Sequence, residues 1–137
     1  MKHILKRISV WTLCIMVSAV FFSVYDIQAS SAPGTPSLGA WKNVTSKYAG
    51  SGGDGQAWQI TWKKAAGADG YQIKYYEKED PGAEWYTYKA VTKKCSAEIQ
   101  FSSLTRFKVK VRAYRTGKNG SRIYGEWVSS DIKKIAY

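Results

Sequence analysis

The stretch "FKVKVRAYR" (Phe107–Arg115) alternates almost to its end: Phe107, Val109, Val111 and Ala113 fall on one side, Lys108, Lys110 and Arg112 on the other. Successive side chains of a strand point to opposite faces, so the apolar set predicts a half-buried β-strand lying on a core. The opposite face carries three cations in a row. Like charges on one strand surface repel, so that surface needs a separate account.

Outward from this stretch the same pattern recurs, a short alternating run followed by a cluster of Gly, Asp, Asn or Pro. "AWQITW" (Ala57–Trp62) puts Trp58, Ile60 and Trp62 on one face. "YQIKYYEK" (Tyr71–Lys78) turns Tyr71, Ile73 and Tyr75 inward and Gln72, Lys74 and Tyr76 outward. "WYTYKAVTK" (Trp85–Lys93) and "CSAEIQF" (Cys95–Phe101) are two more strands, and "EWVSSDIKKIAY" (Glu126–Tyr137) is the last. "PGTPSLGAWKNV" (Pro33–Val44), with Pro33 and Pro36, suits an edge strand or an extended lead-in. Between the runs, "SKYAGSGGDGQ" (Ser46–Gln56) reads as a flexible loop. Pro81–Gly82 in "EDPGAE" predicts a type II turn, and Asn119–Gly120 in "TGKNGSRIYG" a hairpin loop. Nothing from Pro33 onward reads as a long amphipathic helix. About seven runs at this spacing predict an all-β fold, a seven-stranded antiparallel β-sandwich.

The first residues follow a different logic. Lys2, Lys6 and Arg7 precede an uncharged, mostly apolar run from Ile8 to Tyr25, and small residues follow at Ala29–Ala32. That order predicts a secretory signal over 1–29, cleaved after Ala29, with Ser31 and Ala32 as alternative sites. A retained membrane anchor is the other reading of the same run. Cys14 lacks the preceding small residues of a lipoprotein signal. Removing residues 1–29 from the 137 takes away three basic and one acidic residue, leaving a domain at 30–137 with 18 basic and 9 acidic side chains, a net of +9. A chain of that size forms one domain with one core. Its charge attracts anionic partners. The expected place is outside the cell or on its surface, with no membrane span once the signal is removed. Cys95 is then the single cysteine, either buried or free to pair between chains.

Catalytic chemistry is poorly represented. His3, in the signal, is the only histidine, so the domain has no imidazole for a nucleophile–base pair or a zinc site of the usual kind. Glu77, Glu79, Asp80 and Glu84 cluster in a turn and read as solvated charge rather than as a glycosidase pair. The glycines at 50–55 open no helix and precede no Lys-Ser or Lys-Thr, so they are no phosphate cradle. No enzyme, metal or cofactor is expected. Asn43-Val44-Thr45 and Asn119-Gly120-Ser121 match the N-glycan acceptor pattern, which matters only in a host that glycosylates.

In this order and spacing the pieces resemble the fibronectin type III domain over Pro33–Tyr137. The resemblance rests on the proline-rich lead with Leu38, "ITW" with Trp62, "GYQIKY" with Tyr71, "FKVKVRAY" as sixth strand and "YGEWVSS" near the end. The ending, with Gly125, Trp127 and Ser129 close together, is most similar to versions from secreted bacterial proteins. Phe107 stands where the family has the tyrosine of its corner, so the ring is kept and the hydroxyl bond is not. Phe101 takes the place of the leucine before that corner, with Leu104 inside the turn. No Arg-Gly-Asp triplet occurs, and the immunoglobulin alternative lacks its cysteine pair.

The resemblance implies that the third and sixth strands are neighbours, with the last strand on the far side of the sixth. One outward face then carries Lys74, Tyr76, Lys108, Lys110 and Arg112, with Trp127 against Arg112 or Lys110. Aromatic rings between cations relieve their repulsion, so the face also suits a self-sufficient structural ladder. Its functional reading is a binding surface, with Tyr76, Tyr86 or Tyr88 stacking on a ligand ring. The family's commonest role implies a non-catalytic module for protein–protein or adhesive contact at or outside the cell surface. The alternative is a carbohydrate or anionic cell-wall polymer. An extracellular site makes nucleic acid an unexpected partner.

Overall fold

The computed structural model describes residues 31–49 and 55–135. The expected signal over 1–29 and the glycine-rich tip at 50–54 lie outside the described residues. The strands run in chain order as β1 (Ser37–Leu38), β2 (Lys42–Asn43), β3 (Gln56–Lys63), β4 (Gly70–Lys78), β5 (Tyr86–Thr92), β6 (Ser96–Phe101), β7 (Arg106–Thr116), β8 (Arg122–Tyr124), β9 (Val128–Ser129) and β10 (Lys133–Lys134). A short 3-10 turn, Thr45–Tyr48, interrupts the stretch expected to be loop. The described residues contain no α-helix.

Two antiparallel sheets result. β3 is the hub of the first, pairing with β1, β2 and β6. The second is built on β7, which pairs with β4 on one side and with β8, β9 and β10 on the other, while β5 lies outside β4. The inward sets of the two sheets meet as one core. Ile60 and Trp62 of β3 and Ala97 and Ile99 of β6 face Tyr71, Ile73 and Tyr75 of β4 and Phe107, Val109, Val111 and Ala113 of β7. The last four are fully buried, as the alternation of β7 predicts. Burying each side chain of Val or Phe size contributes about 1.5–3 kcal/mol, so this strand is the centre of stability. Among the described residues no charged side chain is buried.

Among the described residues the segments number ten where the spacing predicts about seven runs. One edge of each sheet is responsible. β1 and β2 pair with the same strand, and β8, β9 and β10 all pair with β7, starting at Arg122 rather than Glu126. Gly125 breaks the closing edge where the chain passes close to the lead-in: a Cβ there would sit 2.6 Å from the Pro33 carbonyl oxygen. Short, interrupted edges offer a poor template for pairing with another chain.

The turns divide. Gly120 has φ +79° and the loop closes through its N–H on the Gly117 carbonyl at 3.0 Å, as the Asn-Gly signal predicts. Gly82 does not take the positive φ that a type II turn requires. Instead the Ala83 N–H donates to the Asp80 carbonyl at 3.0 Å and the Gly82 N–H to Asp80 Oδ1 at 3.0 Å, so the aspartate side chain sets this turn. Phe107 keeps its ring at the corner, edge-on to Trp41 at 4.9 Å and 5.2 Å from Phe101. Backbone bonds fasten the bend, from the Thr105 N–H to Lys78 and from the Ile135 N–H to Thr105, each 2.9 Å. Cys95 is half-buried, its thiol 3.7 Å from the Tyr71 hydroxyl.

Candidate functional site

The register of β4 on β7 sets Tyr76 opposite Lys108, Lys74 opposite Lys110 and Gln72 opposite Arg112. All lie on the side away from the core, because their chain neighbours Ile73, Tyr75, Val109 and Val111 face inward. Ser129 pairs with Lys110, so Trp127, two residues earlier, comes out on the same face beside Arg112. The structure thus gathers all six sequence-predicted residues on one surface. It adds Lys89 opposite Lys74, Arg106 opposite Lys78 and Lys134 opposite Arg106. No outward position on these strands holds Asp or Glu. Among the described residues, the ion pair is Lys47 with Glu98 on the other sheet, at 3.3 Å.

The face has two unlike halves. Toward Gly70, arginines are stacked between rings. The Arg112 guanidinium lies 3.8 Å from the Tyr124 ring centre and 4.5 Å from that of Trp127, and its Nε donates to Gln72 Oε1 at 2.9 Å. Arg122 lies 4.4 Å over Tyr114, which meets Tyr124 edge-on at 6.3 Å. Toward Lys78, lysines surround two rings. Lys74 and Lys108 each lie 5.0 Å from the Tyr76 centre and Lys110 lies 6.0 Å from it. Trp85 takes Lys78 at 5.2 Å and Lys108 at 5.6 Å, and meets Tyr76 edge-on at 6.4 Å.

Magnitudes separate the halves. Two ammoniums roughly 5 Å apart in water repel by just under ~1 kcal/mol, and one exposed cation–ring contact returns about 0.5–1 kcal/mol. The lysine half is therefore close to neutral in energy, and its ammoniums are free to turn toward a stronger acceptor. Arg112, with two rings and a hydrogen bond, is held much more firmly.

Tyr86 and Tyr88 are not part of this face, contrary to the expectation from sequence. Register pairs Tyr88 with Tyr75 and Tyr86 with Glu77, which places both tyrosines on the core side, at the rim of the sandwich. Tyr88 stacks on Tyr75 at 4.6 Å and 10°, and its hydroxyl donates to Glu77 at 2.7 Å. Trp85, Lys78 and Tyr124 were missed. Trp85 precedes β5, so alternation does not place it; its contacts with Tyr76, Lys78 and Lys108 do.

The rim tyrosines make the fold sensitive to alkali. Burial first, then the hydrogen bond to Glu77, pushes the Tyr88 hydroxyl up from its ordinary 10.0; burial, then the charge of Glu77, raises Tyr75. Below the ordinary value both hydroxyls are neutral folded or unfolded, and their contribution is fully present. Above it the unfolded chain loses protons that the folded one keeps, so stability falls until the folded values are passed. The urea midpoint is expected to be flat below about pH 9 and to fall above about pH 10, less steeply in Tyr88→Phe. Equal slopes in both proteins would remove Tyr88 as a cause.

Among the described residues no three His, Cys, Asp or Glu side chains gather as metal ligands. What the surface offers is charge and flat rings. Comparison of the chain with family models, with curated proteins and with solved structures gives no significant match.

Proposed function

We propose that this chain is an exported, non-catalytic binding module of the fibronectin type III kind that holds an anionic polymer at or outside the cell surface. Counting β1 with β2, and β8 with β9 and β10, as single interrupted runs leaves seven, with the third (β4) and the sixth (β7) adjacent as the resemblance implies, which supports the family reading. The observation that carries the function is the composition of the outer face of β4, β5 and β7. Its outward strand positions hold Lys74, Lys78, Lys89, Arg106, Lys108, Lys110 and Arg112 without one carboxylate. Packing like charges opposite one another costs stability, and a polyanion turns that cost into affinity.

Protein–protein contact is the second reading, favoured by β5. It is an edge strand of seven residues with Tyr86 66 % and Val91 45 % exposed, open to an added strand. Salt separates the two. The chain as processed by its host is expected to be retained on its own cell envelope at about 50 mM salt and released by about 0.5 M. Neutralising Lys74, Lys108 and Lys110 together to Gln is expected to weaken retention about tenfold or more at low salt. Capture of a single protein, insensitive to salt and to these substitutions, would sink the polymer reading in favour of the edge strand.

A further inference from the structure

We infer that the ligand seat is the lysine-ringed pair Tyr76 and Trp85 alone, and that it takes a polymer of sugar or polyol units joined by phosphodiesters. The inference rests on the polyanion reading above and narrows it in two respects, which cations bind and which anion they bind.

The first respect follows from how the cations are held. Arg112 is clasped between Tyr124 and Trp127 with its Nε on Gln72, and Arg122 is laid on Tyr114. A planar carboxylate is best met by an arginine fork free to turn onto it, and Arg112, at the centre of the face, is fixed in place by its two rings and its Nε bond to Gln72. Lys74, Lys78, Lys108 and Lys110 are compact point charges, each in contact with a ring and, among the described residues, with no carboxylate. Point charges suit a phosphodiester, whose single charge is shared over tetrahedrally disposed oxygens and asks for no planar fork.

The second respect follows from spacing. Outward positions along a strand repeat every two residues, roughly 6.7 Å. Along β4 they read Lys74, Tyr76, Lys78, a cation, a ring and a cation, with Trp85 set beside the ring and Lys108 across from it. The complement is an anion, an uncharged unit offering a C–H face, and an anion. A polymer with charge but no linking unit leaves Tyr76 and Trp85 without a role.

The test titrates the processed chain with three probes matched in charge number: poly(glycerol phosphate), poly-glutamate and oligothymidylate. Tryptophan fluorescence and salt dependence are the readouts. Poly(glycerol phosphate) is expected to bind about tenfold more tightly than poly-glutamate. Lys74→Gln, Lys108→Gln and Lys110→Gln should each reduce the slope of log affinity on log salt by about 0.7, the value for a single-stranded polyanion. Arg112→Gln should leave that slope unchanged, and Trp85→Phe should remove the fluorescence change while retaining most of the affinity. Equal binding of poly-glutamate overturns the phosphodiester while leaving the polyanion reading standing, and preference for oligothymidylate overturns it in favour of nucleobases. An Arg112→Gln slope that falls like the lysine slopes overturns the half-face assignment. Failure of all three probes overturns the polyanion reading itself.

Discussion

Phe107→Ala is expected to lower stability by about 3–5 kcal/mol, the range for emptying a fully buried aromatic site. Phe107 has no exposed surface and stands where β7 leaves the bend. Its ring touches Trp41 edge-on at 4.9 Å, Phe101 at 5.2 Å and Trp58 at 6.3 Å, and so joins the lead-in, β6 and β3 to the second sheet. These neighbours are large, rigid rings that cannot collapse into the space, which argues for the upper part of the range. A domain of this size has about 5–15 kcal/mol in all, so the variant should be partly unfolded at growth temperature. Phe107→Leu, which fills most of the volume, should cost less than half as much. Urea unfolding by circular dichroism measures both. A shift below about 1 kcal/mol for the alanine variant would mean that the corner is not a keystone of the packing.

The same strand shows how far the sequence could be read. Alternation is a local property, so the burial of Phe107, Val109, Val111 and Ala113 and the exposure of Lys108, Lys110 and Arg112 followed from β7 alone. One pairing, β4 on β7, then brought Lys74 and Tyr76 beside them. The misplaced residues depend on what alternation does not contain. The faces of Tyr86 and Tyr88 are set by the register of β5 on β4, which the turn over 79–84 fixes. That turn is governed by the Asp80 side chain rather than by a left-handed Gly82. The broken closing edge depends on Gly125 meeting the Pro33 carbonyl, from the opposite end of the domain. Trp85 was hidden in another way. It lies outside its strand, and only the neighbouring Lys78 and Lys108 show that it belongs to the face.

The second large effect is expected at Gly70, and it bears on the site as well as on stability. Gly70 opens β4 directly opposite Tyr114, whose ring lies over it. A Cβ at Gly70 would stand 2.5 Å from the Tyr114 hydroxyl oxygen, 2.6 Å from Cζ and 2.8 Å from Cε1. The ring is buried and pinned by Arg122 and Tyr124, so Gly70→Val must push it out of place, at about 1–3 kcal/mol. In a Tyr114→Ala background valine has room and a better strand propensity than glycine, so the same substitution should be neutral or slightly stabilising. The difference between backgrounds is a coupling of about 1 kcal/mol or more, read from urea midpoints of the four proteins. Moving Tyr114 also unsettles Tyr124, one of the two rings that hold Arg112. If that ladder is what withholds Arg112 from a ligand, Gly70→Val should steepen the salt dependence of polyanion binding even as it weakens the fold. An unchanged slope alongside a displaced ring would show that Arg112 is kept from the ligand by something other than its stack.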